Sequence, residues 1–233
     1  MQAVALLPVY IICLEVAQSV TSVAVCRNEQ CISIKNVLEP NKAADKIHLL
    51  TAEVLKEAGI SFRDLQAVAI SAGPGSYTGL RIAASAAKGY CYSLDIPLIA
   101  VPTLQAMTAG IQNRHCQTAF DIFVPMIDAR REEVYTSFYD RALGVTQEFS
   151  SLVLDATSEQ LFLSDKTYVL FGSGAAKSRK YIDTDNITII EEFIPSAEDM
   201  CCLAYSRFRN QTFEDTAYFE PNYAKAFYTQ QNK

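Results

Sequence analysis

No dense block of lysine or arginine occurs anywhere in the 233 residues, where 20 basic side chains stand against 26 acidic ones for a net charge of -6. A chain of that charge lacks the electrostatic footprint needed to hold a nucleic-acid backbone by itself, so any RNA must be held largely by another subunit. Histidine is scarce too, with only His48 and His115. The cysteines at 13, 26, 31, 91, 116, 201 and 202 form an odd set with no CxxC pair and no metal-site spacing. They are expected to be reduced and mostly buried, in a reducing, cytoplasmic compartment. No neighbouring pattern marks any of them as a reactive thiol. The apolar start, Met1 to Leu14, has no basic residue before it, is interrupted by Pro8 and is ended by Glu15. It falls well short of the roughly 20 residues of a membrane helix, so neither an anchor nor a signal peptide is expected there.

Half the residues are apolar and a fifth are charged, the composition of a chain that folds throughout. YIICL, SVAVC and CISI follow one another between Tyr10 and Ile34, separated by short polar breaks, and predict three strands joined by tight turns. Ile47, Leu50, Val54 and Leu55 then recur at helical spacing before Gly59, predicting an amphipathic helix over 43–58. AVAIS (67–71) reads as a buried strand, 78–94 as a long helix, and IPLIAV (96–101) as another strand. Thr103 is placed to cap a helix beginning at Leu104. Crossover helices between strands imply an α/β architecture with a mixed sheet. The second half shows strands at 122–127, 134–139 and 168–171, with Ser196 capping a helix to about Asn210. Two halves of similar size suggest a duplicated fold without a visible sequence repeat, divided into 1–111 and 112–233.

Between strand and helix lies Gly73-Pro74-Gly75-Ser76-Tyr77-Thr78-Gly79. Backbone N–H groups at a helix start can cradle an anion. However, the spacing fits neither GxGxxG nor a Walker A loop, and Pro74 removes a donor. A tight turn at Gly73, Gly75 and Gly79 that brings the next helix close to the sheet is the better reading. That helix carries small residues around most of its circumference, Ala83 to Ala87 and Gly89, as in a helix sandwiched in the core or pressed against a partner.

The stretch SAGPGSYTGLRIAASAAKGYCYSLDIPLIAVPTLQA, Ser71 to Ala106, resembles the signature region of the TsaB (YeaZ) family. ICLEVA resembles that family's first strand, which ends in an acidic residue, and IDARREEVY, Ile127 to Tyr135, resembles its DAR-x-x-EVY motif. The resemblance implies an actin-like fold (ASKHA, ribonuclease H-like) of two duplicated subdomains. It further implies an inactive scaffold that pairs with the catalytic TsaD subunit and acts with the TsaE ATPase in threonylcarbamoyl transfer to adenosine 37 of tRNA. Alone, the protein is expected to form a homodimer.

Pairing in the family uses the two helices of the first subdomain, here 43–58 and 78–94. The interface expected on them comprises Ile47, His48, Leu50, Val54, Leu80, Ala84, Ala87 and Tyr90. Ala84→Arg or Ala87→Arg is expected to abolish pairing while leaving the monomer folded. Arg130 and Glu133 are expected to hold the second subdomain together or to touch a partner. Catalytic relatives bind a metal through HxxxH, which His48 and His115 are too far apart to form, so no catalytic or metal residue is expected. The first hairpin of actin-like nucleotide binders carries hydroxyls after its acid, whereas here Glu15 is followed by Val16 and Ala17. No cofactor of its own is therefore expected, with ATP or ADP at most weakly bound or bound at a subunit interface. A small actin-like kinase is the alternative, and a metallopeptidase ranks last. The aromatic segment Tyr218 to Tyr228 is expected to be a terminal strand on the second subdomain rather than a base-stacking tail.

Overall fold

The computed structural model describes residues 7–39, 42–114 and 119–224. Three apolar strands, β1 (Tyr10–Glu15), β2 (Thr21–Arg27) and β3 (Gln30–Val37), open the chain as an antiparallel meander. The helix α1 (Ala43–Ala58) follows, ended by Gly59 in a left-handed conformation that only glycine adopts without strain. Then come β4 (Ala67–Ser71), α2 (Tyr77–Leu94), β5 (Leu98–Val101) and α3 (Thr103–Arg114). β4 lies parallel to β1 and β5 parallel to β4, giving the order β3-β2-β1-β4-β5.

The second half repeats this order. β6 (Ile122–Asp128), β7 (Glu133–Tyr139) and β8 (Val145–Val153) form the antiparallel meander, with β9 (Tyr168–Phe171) and β10 (Ile187–Ile190) parallel on the other side. The fold is thus the duplicated, actin-like α/β arrangement. β8 and β10 were not expected from sequence: β8 is a largely exposed edge strand without an apolar alternation, and β10 is an edge strand of only four residues, ITII. The last helical unit is a 3₁₀ turn, Ala197–Met200, running into α4 (Cys201–Arg209).

Alternation along the strands divides the first sheet into two apolar faces. Ile12, Leu14, Val23, Val25, Val68 and Ile70 meet α1 and α2 on one side. Ile11, Cys13, Ala24, Cys26, Ala67 and Ala69 meet α3 and α4 on the other. α3 is buried on most sides over 103–111 because it serves both sheets: Ala106 and Ala109 face the first, while Leu104, Met107 and Ile111 enter the core of the second. The boundary at residue 111 therefore falls inside a helix shared by both halves. From Ser196 onward the chain returns to the first sheet.

Two expectations are corrected here. The segment 214–224 forms no strand on the second half. It runs along the first, where the Glu214 and Asn222 N–H groups donate to the carbonyls of Leu98 (2.9 Å) and Ala72 (2.7 Å) and Phe219 packs on the α1–α2 core. The physical reason is that β5 is an edge strand whose outer backbone groups need partners. Residues 225–233 lie outside the described residues. The second correction concerns the cysteines, since Cys26 and Cys201 form a disulfide with Cα atoms 5.6 Å apart. A separation of 175 residues left no trace of this approach in the sequence. Cys116 and His115 lie outside the described residues.

Candidate partner-docking face

The glycine loop is packed tightly against its own protein. A Cβ on Gly75 would lie 2.3 Å from the Ala17 carbonyl oxygen, and one on Gly79 would lie 2.1 Å from that of Val16. Glycine at both positions is thus what lets α2 start directly on the β1–β2 turn. The Ser76 N–H donates to the Ala17 carbonyl at 2.6 Å, and the Ser76 hydroxyl caps the helix by accepting the Gly79 N–H at 3.2 Å. Gly73 exchanges two hydrogen bonds with Thr103, each 3.0 Å, tying the loop to the start of α3.

From this anchored start, α2 lies on the sheet beside α1 with its small residues divided between two faces. Ala83 and Ala87 are fully buried and Ala84 is 7 % exposed. Ile47, Leu50, Val54 and Leu80 likewise belong to the core under the two helices. Six of the eight residues expected at an interface therefore point inward, because an amphipathic helix turns its apolar stripe to its own sheet. An arginine at Ala84 or Ala87 would be driven into that core, which corrects the expected separation of pairing from folding. Only His48, which is exposed, and Tyr90, half-buried, reach the outer face.

The outer face is a shallow groove of about 690 Å³ between the two helices. His48 and Tyr90 bridge it, with the ring Nδ1 and the phenol oxygen sharing a hydrogen bond at 2.6 Å, and Phe62 stacks obliquely on Tyr90 at 5.5 Å. Its α2 wall is made of Arg81, Ile82, Ser85, Gly89 and Ser93. A Cβ on Gly89 would meet nothing within 4 Å. The Arg81 guanidinium donates to the Tyr77 hydroxyl at 2.9 Å at the groove's end, where Tyr77 also packs on Tyr223 of the C-terminal segment. Ser85 and Gly89 stood among the small residues noted in the sequence, but Thr78, Arg81, Ile82 and Ser93 were missed, although the spacing 78, 81, 82, 85, 89, 93 traces one helical face.

At the end of β1, Glu15 is 1 % exposed. Burial pushes its carboxyl up to about 7, while the Ala17 N–H, donating at 2.6 Å, pulls the other way. Asp199, also buried, accepts a two-pronged hydrogen bond from Arg114 at 2.6 and 2.8 Å. Burial pushes its carboxyl up to about 6 against the opposing attraction of that guanidinium. In the β6–β7 turn, Arg130 and Arg131 both take left-handed backbone, with φ of 71 and 49, and the Arg130 side chain is exposed. Glu133 accepts the Ser151 hydroxyl of β8 at 2.5 Å, and its carbonyl accepts from Lys177 at 3.2 Å. The residues singled out in this turn thus sit on the second half, away from the groove.

A family model described as TsaD, tRNA N6-adenosine threonylcarbamoyltransferase, matches residues 40–228. The "tRNA threonylcarbamoyladenosine biosynthesis protein TsaB" of Bacillus subtilis is 32% identical over 146 residues, 61% of this chain and 59% of that protein. The protein of the same description from Escherichia coli is 28% identical over 225 residues, 92% of this chain and 94% of the relative. The solved structure of a Pseudomonas aeruginosa protein described as similar to peptidase YeaZ superposes with a TM-score of 0.80 at 22% identity, covering 93% of this chain and all of that one. With the duplicated fold and the signature loop in place, the chain belongs to the threonylcarbamoyltransferase family of that model and, within it, to the TsaB (YeaZ) proteins.

Proposed function

We propose that the chain is a non-catalytic partner subunit in the formation of threonylcarbamoyladenosine on tRNA, docking on the catalytic TsaD subunit through the outer face of α1 and α2. The observation that carries this reading is that face itself. The inner sides of both helices are committed to their own sheet. The outer side offers an open strip, Ser85, Gly89 and Ser93, that allows another helix to approach closely. Leu49 and Tyr92, on the same two helices, are 57% and 89% exposed. Without the catalytic subunit, two copies meet through the same face as a homodimer. The TsaE ATPase acts on the pair, and with a net charge of -6 on this chain the tRNA is held mainly by the rest of the complex.

The chemistry of the chain supports a scaffold. His48 and His115, 67 positions apart, supply no paired imidazoles for a metal. The glycine loop's amides at Gly73 and Ser76 are engaged by Thr103 and Ala17, and no hydroxyl follows Glu15 in the first turn until Ser19. ATP or ADP therefore belongs at a subunit interface or binds weakly. The retained acid at the end of β1 is the one feature favouring an actin-like kinase. That reading requires Mg-ATP to raise the melting temperature of the isolated chain.

Light scattering on size-exclusion peaks of the chain mixed with the catalytic subunit of the same organism tests the proposal. A heterodimer is expected with the unaltered chain, and none with Gly89→Arg, whose side chain enters open space and leaves the melting temperature within about 2 °C. Unimpaired pairing by Gly89→Arg would move the interface elsewhere. No complex at micromolar concentration would sink the scaffold reading.

A further inference from the structure

Five cysteines gather where α4 lies on the first sheet: Cys13 on β1, Cys26 on β2, Cys31 on β3, and Cys201 and Cys202 at the start of α4. Cys26 and Cys201 are bonded and at most 2% exposed, and the Cys13 sulfur lies 3.4 Å from that of Cys26. Cys31 stands opposite Cys26 in the β2–β3 register and Cys202 follows Cys201; both are partly exposed and free. The shell around the three inner sulfurs is apolar, formed by residues such as Ile11, Ala24, Met200 and Leu203. A metal held by Cys13, Cys26 and Cys201 would bury net charge there, and no fourth donor joins the group among the described residues. A neutral disulfide beside a neutral thiol suits the shell. Burial holds the Cys13 thiol far above its usual range, so it stays protonated and does not attack the bond next to it.

We propose that the Cys26–Cys201 pair is a redox clasp that decides whether the C-terminal segment, 197–224, can detach from the first sheet as a unit. The segment is otherwise held by the apolar side of α4, by the Asp199–Arg114 ion pair to α3, and by hydrogen bonds from the Ala197 N–H to the Ser22 hydroxyl (2.8 Å), Arg207 to Gln105 (2.8 Å), Glu214 to Leu98, Asn222 to Ala72, and Lys88 to the Ala217 carbonyl at 3.0 Å. Such a layer can open locally at less than the free energy of global unfolding. A covalent link between α4 and β2 forbids every opening that separates the two. Closing the clasp oxidises two thiols to one disulfide, with the two electrons and two protons passing to a small-molecule disulfide that leaves as two thiols. A dithiol reverses the step. Solvent reagents reach Cys31 and Cys202 first and the inner thiols when α4 lifts, whereas a dithiol reaches the closed bond only through openings that leave α4 and β2 joined, or through global unfolding.

The test is native-state amide hydrogen exchange on the full chain, in the form closed with glutathione disulfide, in the form opened with a dithiol, and in Cys201→Ala. Peptide mapping without reductant first establishes the Cys26–Cys201 link in the closed form. Exchange at Leu203 to Arg207, Glu214 and Asn222 is expected to be at least tenfold faster in both open forms than in the closed one, with a much smaller change at Val68 to Ile70 of β4. Cys13→Ala should behave as the unaltered chain. Failure of the bond to form, unchanged protection of α4, or a parallel loss of protection in β4 and α4 would each overturn the clasp. The readout is independent of docking, so it stands or falls apart from the proposed function.

Discussion

In the first half of the chain, β1 ends in Glu15, whose carboxylate accepts the N–H of Ala17 at 2.6 Å; in the second, β6 ends in Asp128, which accepts the N–H of Arg130 at 2.6 Å. Glycines of positive φ follow the equivalent strands as well, Gly73 at 99 after β4 and Gly172 at 102 after β9. The local turn devices are therefore duplicated along with the strand order. Their surroundings are not. Glu15 is buried, whereas Asp128 is exposed and ion-paired to Lys177 at 2.6 Å. The crossovers of the first half are helices of 16 and 18 residues, and those of the second shrink to 3₁₀ segments of 4 and 6, Ser158–Leu161 and Ala175–Lys180. One topology thus serves two ends: the half with long crossover helices leaves an open groove between them, and the half with short ones closes its core around α3.

The largest effect should come from charging matching crossovers in the two halves. Ala87→Arg places a guanidinium in the core under α2, and a loss of more than about 4 kcal/mol is expected in urea unfolding. Ala176→Arg, at an exposed site of the second half's 3₁₀ crossover, should stay within about 0.5 kcal/mol. Equal losses would mean that residue 176 is buried against the core as Ala87 is, and not only its neighbour Ala175. Next is the link between the halves, where Arg114→Ala leaves the Asp199 carboxylate buried without its cation and is expected to cost about 3 to 4 kcal/mol at neutral pH.

The two strand-end acids come third. Burial raises the Glu15 carboxyl from 4.5 to about 7, so the folded state holds its proton more tightly than the unfolded one. The stability this contributes is fully present below pH 4.5 and is lost as pH rises through 7. At about 1.4 kcal/mol per pH unit, the change is roughly 3 kcal/mol. Glu15→Gln should flatten the urea midpoint across that window, while Asp128→Asn, at an exposed pair, should alter stability by no more than about 1 kcal/mol. A midpoint that keeps its slope in Glu15→Gln would assign the dependence to another group, Asp199 first.

Much of this was legible in the residues. The 3.6-residue spacing of Ile47, Leu50, Val54 and Leu55 and the stop at Gly59 mark α1 to the residue, and the short apolar runs before it mark three strands. The signature loop carried the family. Yet the same apolar periodicity that located the two helices picked out residues that their own sheet buries. Periodicity identifies the buried stripe, and the proposed docking face is the opposite one, where Arg81, Ser85 and Gly89 carry no hydrophobic signal. The edge strand β8 escaped for a related reason, since a strand exposed along much of its length needs little alternation, and β10 escaped because four residues are too short a run to separate from a loop.

What the sequence alone determined is local: strand and helix periods, the tight glycine turn between β4 and α2, and the acids that close β1 and β6. Such features depend on residues within a turn or two of one another, where spacing is geometry. Only the tertiary structure decided that α3 serves two sheets, that Arg114 meets Asp199, that the C-terminal segment returns to cover β5, and that Cys201 reaches Cys26. Each of these joins residues far apart in the chain, brought together by burial of apolar faces that many different partners could satisfy equally well in a linear reading.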